Sequence, residues 1–210
     1  MSDIIAIDGP ASVGKSTIAK KISNTFHCPI LYSGRLYRVI ALEIVKRKIS
    51  TKNKPAILEC LNLIDKISLE SKNLFSSEID ELSSIISKKK YIRDALKDFQ
   101  RSFPKKYAKD KKYIVIEGRD IGTEIFPDAK YKIFMWADAK IRARRRYKQI
   151  LKKGGKPRLS KIYNEIIKRD KNDLGRKIAP LKPAVNSVLL DTTYLDIEQS
   201  FNVIKNIISD

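Results

Sequence analysis

Two cysteines, one histidine, one tryptophan and two methionines in 210 residues leave little material for a disulfide framework or a zinc site. Cys28 and Cys60 are too few and too poorly spaced to staple a fold, and His27 stands alone, so no Cys/His metal cage can be assembled. Both cysteines are expected in the core. No apolar run approaches the ~20 residues that a bilayer span needs. The chain enters a strand at once, without the pattern of a signal peptide, so a cytoplasmic enzyme with no membrane partner is expected. Acidic residues are also few: 24 Asp and Glu face 44 Lys and Arg, a formal charge of +20. Such a charge suits nucleic acid, an anionic membrane or highly charged small substrates, and does not by itself choose among them. Many lysines (Lys46, Lys48, Lys52, Lys54, Lys109 to Lys112) are dispersed as on solvated faces. The arginines are weighed separately, because a guanidinium fork recognises phosphate bidentately. No repeat or low-complexity segment is visible, and the length suits one well-buried domain with room for inserted subdomains.

What is present begins at Ile4. The stretch IIAIDGPASVGKST runs an apolar strand straight into Gly9, Gly14, Lys15 and Ser16, which fits G-x-x-x-x-G-K-[ST] without a gap. The two glycines allow torsions that turn successive N–H groups inward around a polyphosphate. Lys15 adds a mobile charge, Ser16 offers a hydroxyl to Mg²⁺, and the helix expected to begin near Lys15 points its positive end at the same anion.

Helical spacing of Ile18, Ile22 and Phe26 precedes a short strand, Pro29 to Tyr32. Ser33 and Gly34 open a helix with Leu36, Ile40, Ile44 and Val45 inward, and Pro55 starts a short one through Ile64. Lys66 to Ser87 signals only weakly, for a small hairpin or strand followed by a helix. Ile92, Leu96, Phe99 and Phe103 mark a basic amphipathic helix, stopped by Pro104. Strands are expected at Tyr113 to Ile116, Tyr131 to Trp136 and Val188 to Asp191. Between the last two lie a helix capped by Asp138 and rich in arginine, a Gly154-Gly155 break, and a helix from Ser160 to about Asp173. Asp196 and Gln199 form a capping box for a final helix with Ile197, Phe201, Ile204 and Ile208 inward. Five strands separated by helices, with a phosphate loop after the first, specify an α/β fold. Its mostly parallel sheet is covered by helices on both faces and has a ligand crevice at the strands' carboxyl ends.

Three further stretches cluster charge near that crevice: Tyr32 to Arg38, Glu117-Gly-Arg-Asp120, and Arg169 to Arg176. Glu117, closing an apolar strand, can hold the water shell of a magnesium ion. Arginines in excess of one triphosphate imply a second anion. Arg38, Arg119, Arg169 and Arg176 can clamp an acceptor phosphate while Lys15 and Mg²⁺ hold the donor in line. No general base is required, since a phosphate monoester with a second pKa of ~6 is already largely dianionic at neutral pH.

The segments IAIDGPASVGKSTIAK, SGRLYRVIAL, IEGRDIGTEIFPDAKYKIF, the run ending in RARRRY, and KRDKNDLGRKIAPLKPAVNSVLLDTT closely resemble bacterial cytidylate kinases, of the nucleoside monophosphate kinase family. The resemblance covers most of the chain and lapses between about Ile67 and Ser87. It implies a P-loop kinase fold in a single domain over 1–210, with a substrate-binding insert at about 33–107 and a lid at about 152–177. It also implies transfer of the ATP γ-phosphoryl group to CMP or dCMP with Mg²⁺, by a monomer that needs no nucleic acid. The ATP ligands it implies are Gly9, Pro10, Ala11, Ser12, Val13, Gly14, Lys15, Ser16, Thr17 and, from the lid, Arg158. Ser33, Arg38, Arg119, Arg169, Asp173 and Arg176 match positions that hold the acceptor's phosphate and sugar, with Lys15, Arg119 and Arg176 catalytic. Arg93 and Asp120 match positions that read cytosine, and Ser84 a second acceptor for its amine. Ser16 and Glu117, the latter through water, are the implied metal ligands. The chemistry agrees: the exocyclic amine of cytosine needs an acceptor and its carbonyl and ring nitrogen need donors, whereas uracil would face a carboxylate with a carbonyl.

The sequence departs from the family at Tyr32 (usually Asp), Arg35 (usually small), Glu117 (usually Asp) and Ser12 (usually Gly). The stretch from Leu74 to Glu81 is short for the insert, and Asp80 falls where an arginine is usual. Two other readings stay open on the residues alone: a kinase of this fold acting on another monophosphate such as UMP or AMP, and a nucleic-acid-binding NTPase.

Overall fold

The computed structural model describes residues 2–64, 69–107, 110–152 and 154–209. In chain order the elements are β1 (Asp3–Asp8), α1 (Lys15–Thr25), β2 (Ile30–Tyr32), α2 (Ser33–Lys46), α3 (Lys54–Glu59), α4 (Ser77–Ile86), α5 (Lys90–Ser102), β3 (Tyr113–Glu117), β4 (Tyr131–Trp136), α6 (Ala139–Lys152), α7 (Leu159–Leu174), β5 (Val188–Asp191) and α8 (Ile197–Ser209). Short 3₁₀ turns occupy Cys60–Leu63, Lys72–Phe75 and Phe103–Lys106, and one π-helical turn, Ile121–Ile125, follows β3.

The sheet order is β2-β3-β1-β4-β5. Strand β1 lies between β3 and β4 and pairs in parallel with both, and β4 pairs in parallel with β5. Ile5 and Ile7 point to one face and Ala6 to the other, yet all three are at most 1% exposed, so both faces are covered as an α/β sheet requires. On the Ile5 and Ile7 face, Val115, Ile133 and Met135 from neighbouring strands meet Ile18 and Ile22 of α1 and Phe201, Ile204 and Ile208 of α8. Truncating Ile7 to Ala there should cost about 2–5 kcal/mol, transfer plus cavity. Ala143, Ile162 and Ile166 join α6 to α7 in a second, small cluster.

Three expectations change. The helix from Pro55 closes as α-helix at Glu59 and tightens into the 3₁₀ turn Cys60–Leu63. Of the weak region, residues 66–68 lie outside the described residues; from Leu69 to Ser87 there is no strand, and the helix expected to follow is α4. The region's Ser and Glu content is instead cap chemistry, since Ser76 Oγ accepts from the Ile79 N–H at 3.3 Å and Glu78 and Asp80 fill the first turn of α4. Ile197 is 53% exposed rather than inward. Side chains lean toward a helix's N-terminus, so the first residue of α8 overhangs its entry loop. The capping box forms in full: Gln199 N donates to Asp196 Oδ1 at 2.8 Å and Asp196 N to Gln199 Oε1 at 2.9 Å.

The chain divides into two compact units, Met1–Ile30 with Tyr107–Asp210, and Leu31–Lys106. The first holds the body of the sheet and α1, α6, α7 and α8. In the second, α2 packs against α4 and the Lys72–Phe75 turn, and Leu36, Ile40, Leu74, Ile79 and Ile86 on these elements are all buried.

Candidate active site

In the first unit the strand-to-helix turn after β1 has the shape the glycines foretell. Gly9 sits at φ 145° and a Cβ there would lie 2.1 Å from the Met135 carbonyl oxygen, so both torsion and space exclude a side chain. Gly14, at φ 107°, caps α1 without a side-chain bond, and its carbonyl accepts from the Thr17 and Ile18 N–H groups. Ser12, which replaces a loop glycine, takes φ 59° all the same. The loop is then tied down from outside. Arg142, 1% exposed on α6, donates to the Ala11 carbonyl at 3.0 Å, to Ala137 O at 2.8 Å and to Asp170 Oδ2 at 2.6 Å. Arg145 and Thr192 both reach the Val13 carbonyl at 3.5 Å.

Lys15 is buried, donates to the Pro10 carbonyl at 2.7 Å, and lies 3.8 Å from Glu117 Oε1. Burial, reinforced by the Arg119 charge, lowers its pKa from 10.5 to about 7, with Glu117 and Asp8 pulling the other way. Ser16 and Thr17 are exposed at the helix start, and Ser16 Oγ donates to Glu117 Oε2 at 3.0 Å. A hydroxyl and a carboxylate side by side are hard oxygen donors for an ion whose other ligands are phosphate and water. They fit a magnesium ion brought by a nucleotide. Among the described residues no cluster of three or more acidic, His or Cys side chains is placed to hold a metal unaided.

Beside this loop three of the four arginines expected to clamp an acceptor phosphate, Arg119, Arg169 and Arg176, gather on shared carboxylates. Arg119 donates from Nη1 to the Gly9 carbonyl and from Nε to Asp173 Oδ2, both at 2.9 Å. Asp173 also has Arg169 and Arg176 at 4.0 Å, and Arg176 lies 3.8 Å from Asp120 and donates to the Ala179 carbonyl. Burial opposes ionisation of Asp173, yet Arg119, Arg169 and Arg176 together hold its carboxyl below the ordinary range. Three guanidinium groups face two carboxylates, Asp173 and Asp120, so this cluster keeps an excess of positive charge. Arg158 stands elsewhere, exposed at the N-cap of α7, lining a cavity of about 450 Å³ with Lys161 and Lys168.

In the second unit Ser33 opens α2 and its Oγ accepts from Gln100 Nε2 at 2.7 Å. Arg38 donates to the Leu74 carbonyl at 2.8 Å and pairs with Asp80. Arg93, 8% exposed, donates to the Ser87 carbonyl at 3.1 Å, while Ser87 Oγ donates to the carbonyl of half-buried Ser84 at 2.9 Å. Ser84 and Arg93 are thus linked through one residue.

A family model described as cytidylate kinase matches residues 5–210. The chain belongs to that family. A cytidylate kinase from Bartonella tribocorum is 40% identical over 200 residues, covering 95% of this chain and 91% of the relative. One from Agrobacterium fabrum is 39% identical over 209 residues, 99% and 97% of the two chains. Among solved structures, a protein from Eubacterium ventriosum aligns over 100% of both chains at TM-score 0.54 and 18% identity. A sugar kinase from Janibacter aligns over 100% of this chain and 95% of its own at TM-score 0.50 and 11% identity. These last two speak to the fold alone. Among the described residues no helix is long and apolar enough to cross a membrane.

Sequence reading of this cytidylate kinase family member missed two residues that build the site. Asp8, buried at the end of β1, accepts from the Ile121 N–H at 2.9 Å and the Gly122 N–H at 2.8 Å, which pins the π-helical turn that follows Asp120. Its only signal was an acid inside an apolar strand. Arg142 stood among four arginines with nothing to single it out. It lines a cavity of about 830 Å³ with Trp136, Asp138, Asp170, Asp191 and Tyr194.

Proposed function

We propose that the chain transfers the γ-phosphoryl group of ATP to CMP or dCMP, giving ADP and CDP or dCDP, with the donor bound as its magnesium complex. The loop from Gly9 to Thr17 holds the donor phosphates by main-chain N–H groups, and Lys15 neutralises charge that builds on the transferring group. Magnesium, held by Ser16 and through water by Glu117, supplies further neutralisation of phosphate charge when bound. The 830 Å³ cavity beside Trp136 is the place we assign to the donor's base, because Arg142 joins its floor to the loop at Ala11.

On the family resemblance we assign the acceptor's phosphate and sugar to Arg119, Arg169, Asp173, Arg176, Ser33 and Arg38, and the reading of cytosine to Asp120, Arg93 and Ser84. The observation that carries this is the Arg119 fork, one arm on the Gly9 carbonyl and the other on the acid that gathers Arg169 and Arg176. Donor loop and anion recess thereby share one guanidinium. The acceptor phosphate attacks as its dianion, so positioning and charge neutralisation are what the protein supplies.

We place the substrate-binding insert at about 33–107 and the lid, with Arg158, at about 152–177, in a cytoplasmic monomer that uses no nucleic acid. ADP formation followed across CMP, dCMP, UMP and AMP tests the reading. Turnover of CMP or dCMP at least tenfold above UMP and AMP is expected, and a preference for AMP would overturn it.

A further inference from the structure

Helix α2 presents Arg35 and Arg38 three residues apart, on one face, and each guanidinium is closed by a main-chain carbonyl together with a carboxylate. Arg35 bonds the Leu69 carbonyl at 3.0 Å and the Glu70 carboxylate, with its Cζ 3.7 Å from the Tyr32 ring. Arg38 donates from Nη1 to the Leu74 carbonyl at 2.8 Å and from Nη2 to Asp80 Oδ1 at 2.5 Å. Phe75 lies under both, its ring centroid 5.6 Å from Arg35 Cζ and 5.4 Å from Arg38 Cζ. Three of the positions where the sequence departs from its family, Tyr32, Arg35 and Asp80, are therefore joined through Arg35, Arg38 and Phe75.

We propose that Asp80 is a resident carboxylate in the Arg38 fork, so that the acceptor nucleotide's phosphate binds by displacing it and Asp80 sets acceptor affinity. This rests on the reading of Arg38 as an acceptor-phosphate ligand. Nη1 is taken by the Leu74 carbonyl, so Nη2 is the arm that Asp80 holds, and a phosphate oxygen and the Asp80 carboxylate compete for that one donor group. The exchange is feasible because each partner has an alternative. Asp80, whose side chain is 37% exposed, sits in the first turn of α4, where water and the helix's positive end remain to it when Arg38 is taken. Arg38 keeps the Leu74 carbonyl and the Phe75 ring, which hold it aligned as Asp80 leaves. A phosphate dianion wins on charge, but each binding event breaks an ion pair and leaves a like charge close by. Acceptor affinity is lower than the bare arginine would give.

Steady-state kinetics at saturating ATP test this. Asp80→Asn and Asp80→Ala should each lower KM for CMP by about fivefold, with kcat and KM for ATP unchanged and the difference shrinking as salt rises. Glu78→Gln makes the same charge change on α4 at an exposed residue and should leave KM for CMP where it was. In an Arg38→Ala background, which alone should raise KM for CMP, Asp80→Asn should have no further effect. If Arg38→Ala raises KM while both Asp80 variants leave it unchanged or higher, the displacement is overturned and Arg38 keeps its role. If Glu78→Gln lowers KM as much as Asp80→Asn, the effect is bulk charge and the displacement is likewise overturned. If Arg38→Ala leaves KM for CMP untouched, the reading of Arg38 fails and takes the displacement with it.

Discussion

Arg119 donates to the carbonyl oxygen of Gly9 at 2.9 Å, so the turn that cradles the donor phosphates is held by a side chain whose other arm grips Asp173, also at 2.9 Å. A lysine carries one point charge on a flexible stem and cannot span both acceptors. Arg119→Lys should therefore lower kcat/KM for CMP by about 10²-fold, the scale of losing an oriented donor to transition-state charge. Stopped assays of CDP formation measure it. A variant within twofold of the wild type would reduce the bridge to scaffolding.

Lys15 sits at the opposite electrostatic extreme, a buried cation whose pKa is lowered to about 7 by burial and the Arg119 charge. Near neutral pH about half the free protein carries it uncharged, and a polyphosphate beside it favours the ammonium form and raises the pKa again. Binding above pH 7 must then take up a proton. Titration calorimetry of ATP at pH 8, without magnesium and in buffers of different ionisation enthalpy, should show uptake approaching one proton per ATP, absent in Lys15→Met. Equal apparent enthalpies in all buffers for the wild type would contradict the coupling.

The phosphate loop and parallel sheet were legible because they rest on local rules. Glycine at φ 145° and 107°, an apolar strand before it and apolar periodicity after it are all written within a few neighbouring residues. The capping box at Asp196 and Gln199 was readable for the same reason. Asp8, Arg142 and the π-helical turn were not, because each depends on a contact across the sequence: Asp8 meets Ile121 and Gly122, and Arg142 meets Ala11. Asp80 was visible as an oddity, but only the fold supplies its partner. The stretch before α4 signals only weakly because serine and acid residues look alike in a poor strand and in a well-capped helix start, whereas the helix after it is legible.

Arg142 makes three hydrogen bonds at 1% exposure, one to Asp170. Arg142→Met fills the space but leaves the Asp170 carboxylate facing an apolar group and frees the Ala11 carbonyl. Removing one partner of a buried pair costs about 3–5 kcal/mol, and denaturant unfolding should show a loss of that size. Adding Asp170→Leu should recover part of it, as the uncompensated charge then disappears. A double variant less stable than Arg142→Met would refute the pairing as the source.

Asp8 spends both carboxylate oxygens on the N–H groups of Ile121 and Gly122, immediately after Asp120. Burial pushes its pKa from 3.8 up to about 7, the two N–H groups and Lys15 opposing and Asp120 adding to the rise. Above pH 7 the carboxylate accepts from both donors. Below it, the added proton sits on one oxygen and confronts an N–H with an O–H, so one strut of the turn is lost. Asparagine copies that protonated state at every pH, with one carbonyl oxygen and one donor. Asp8→Asn should therefore raise KM for CMP at pH 8 about tenfold, the scale of one unsatisfied buried donor, and leave KM for ATP within twofold. As pH falls from 8 to 6 the wild-type KM for CMP should climb toward the variant's, which moves only with the substrate's own phosphate. Parallel profiles for the two proteins would remove Asp8 from control of the turn that carries Asp120.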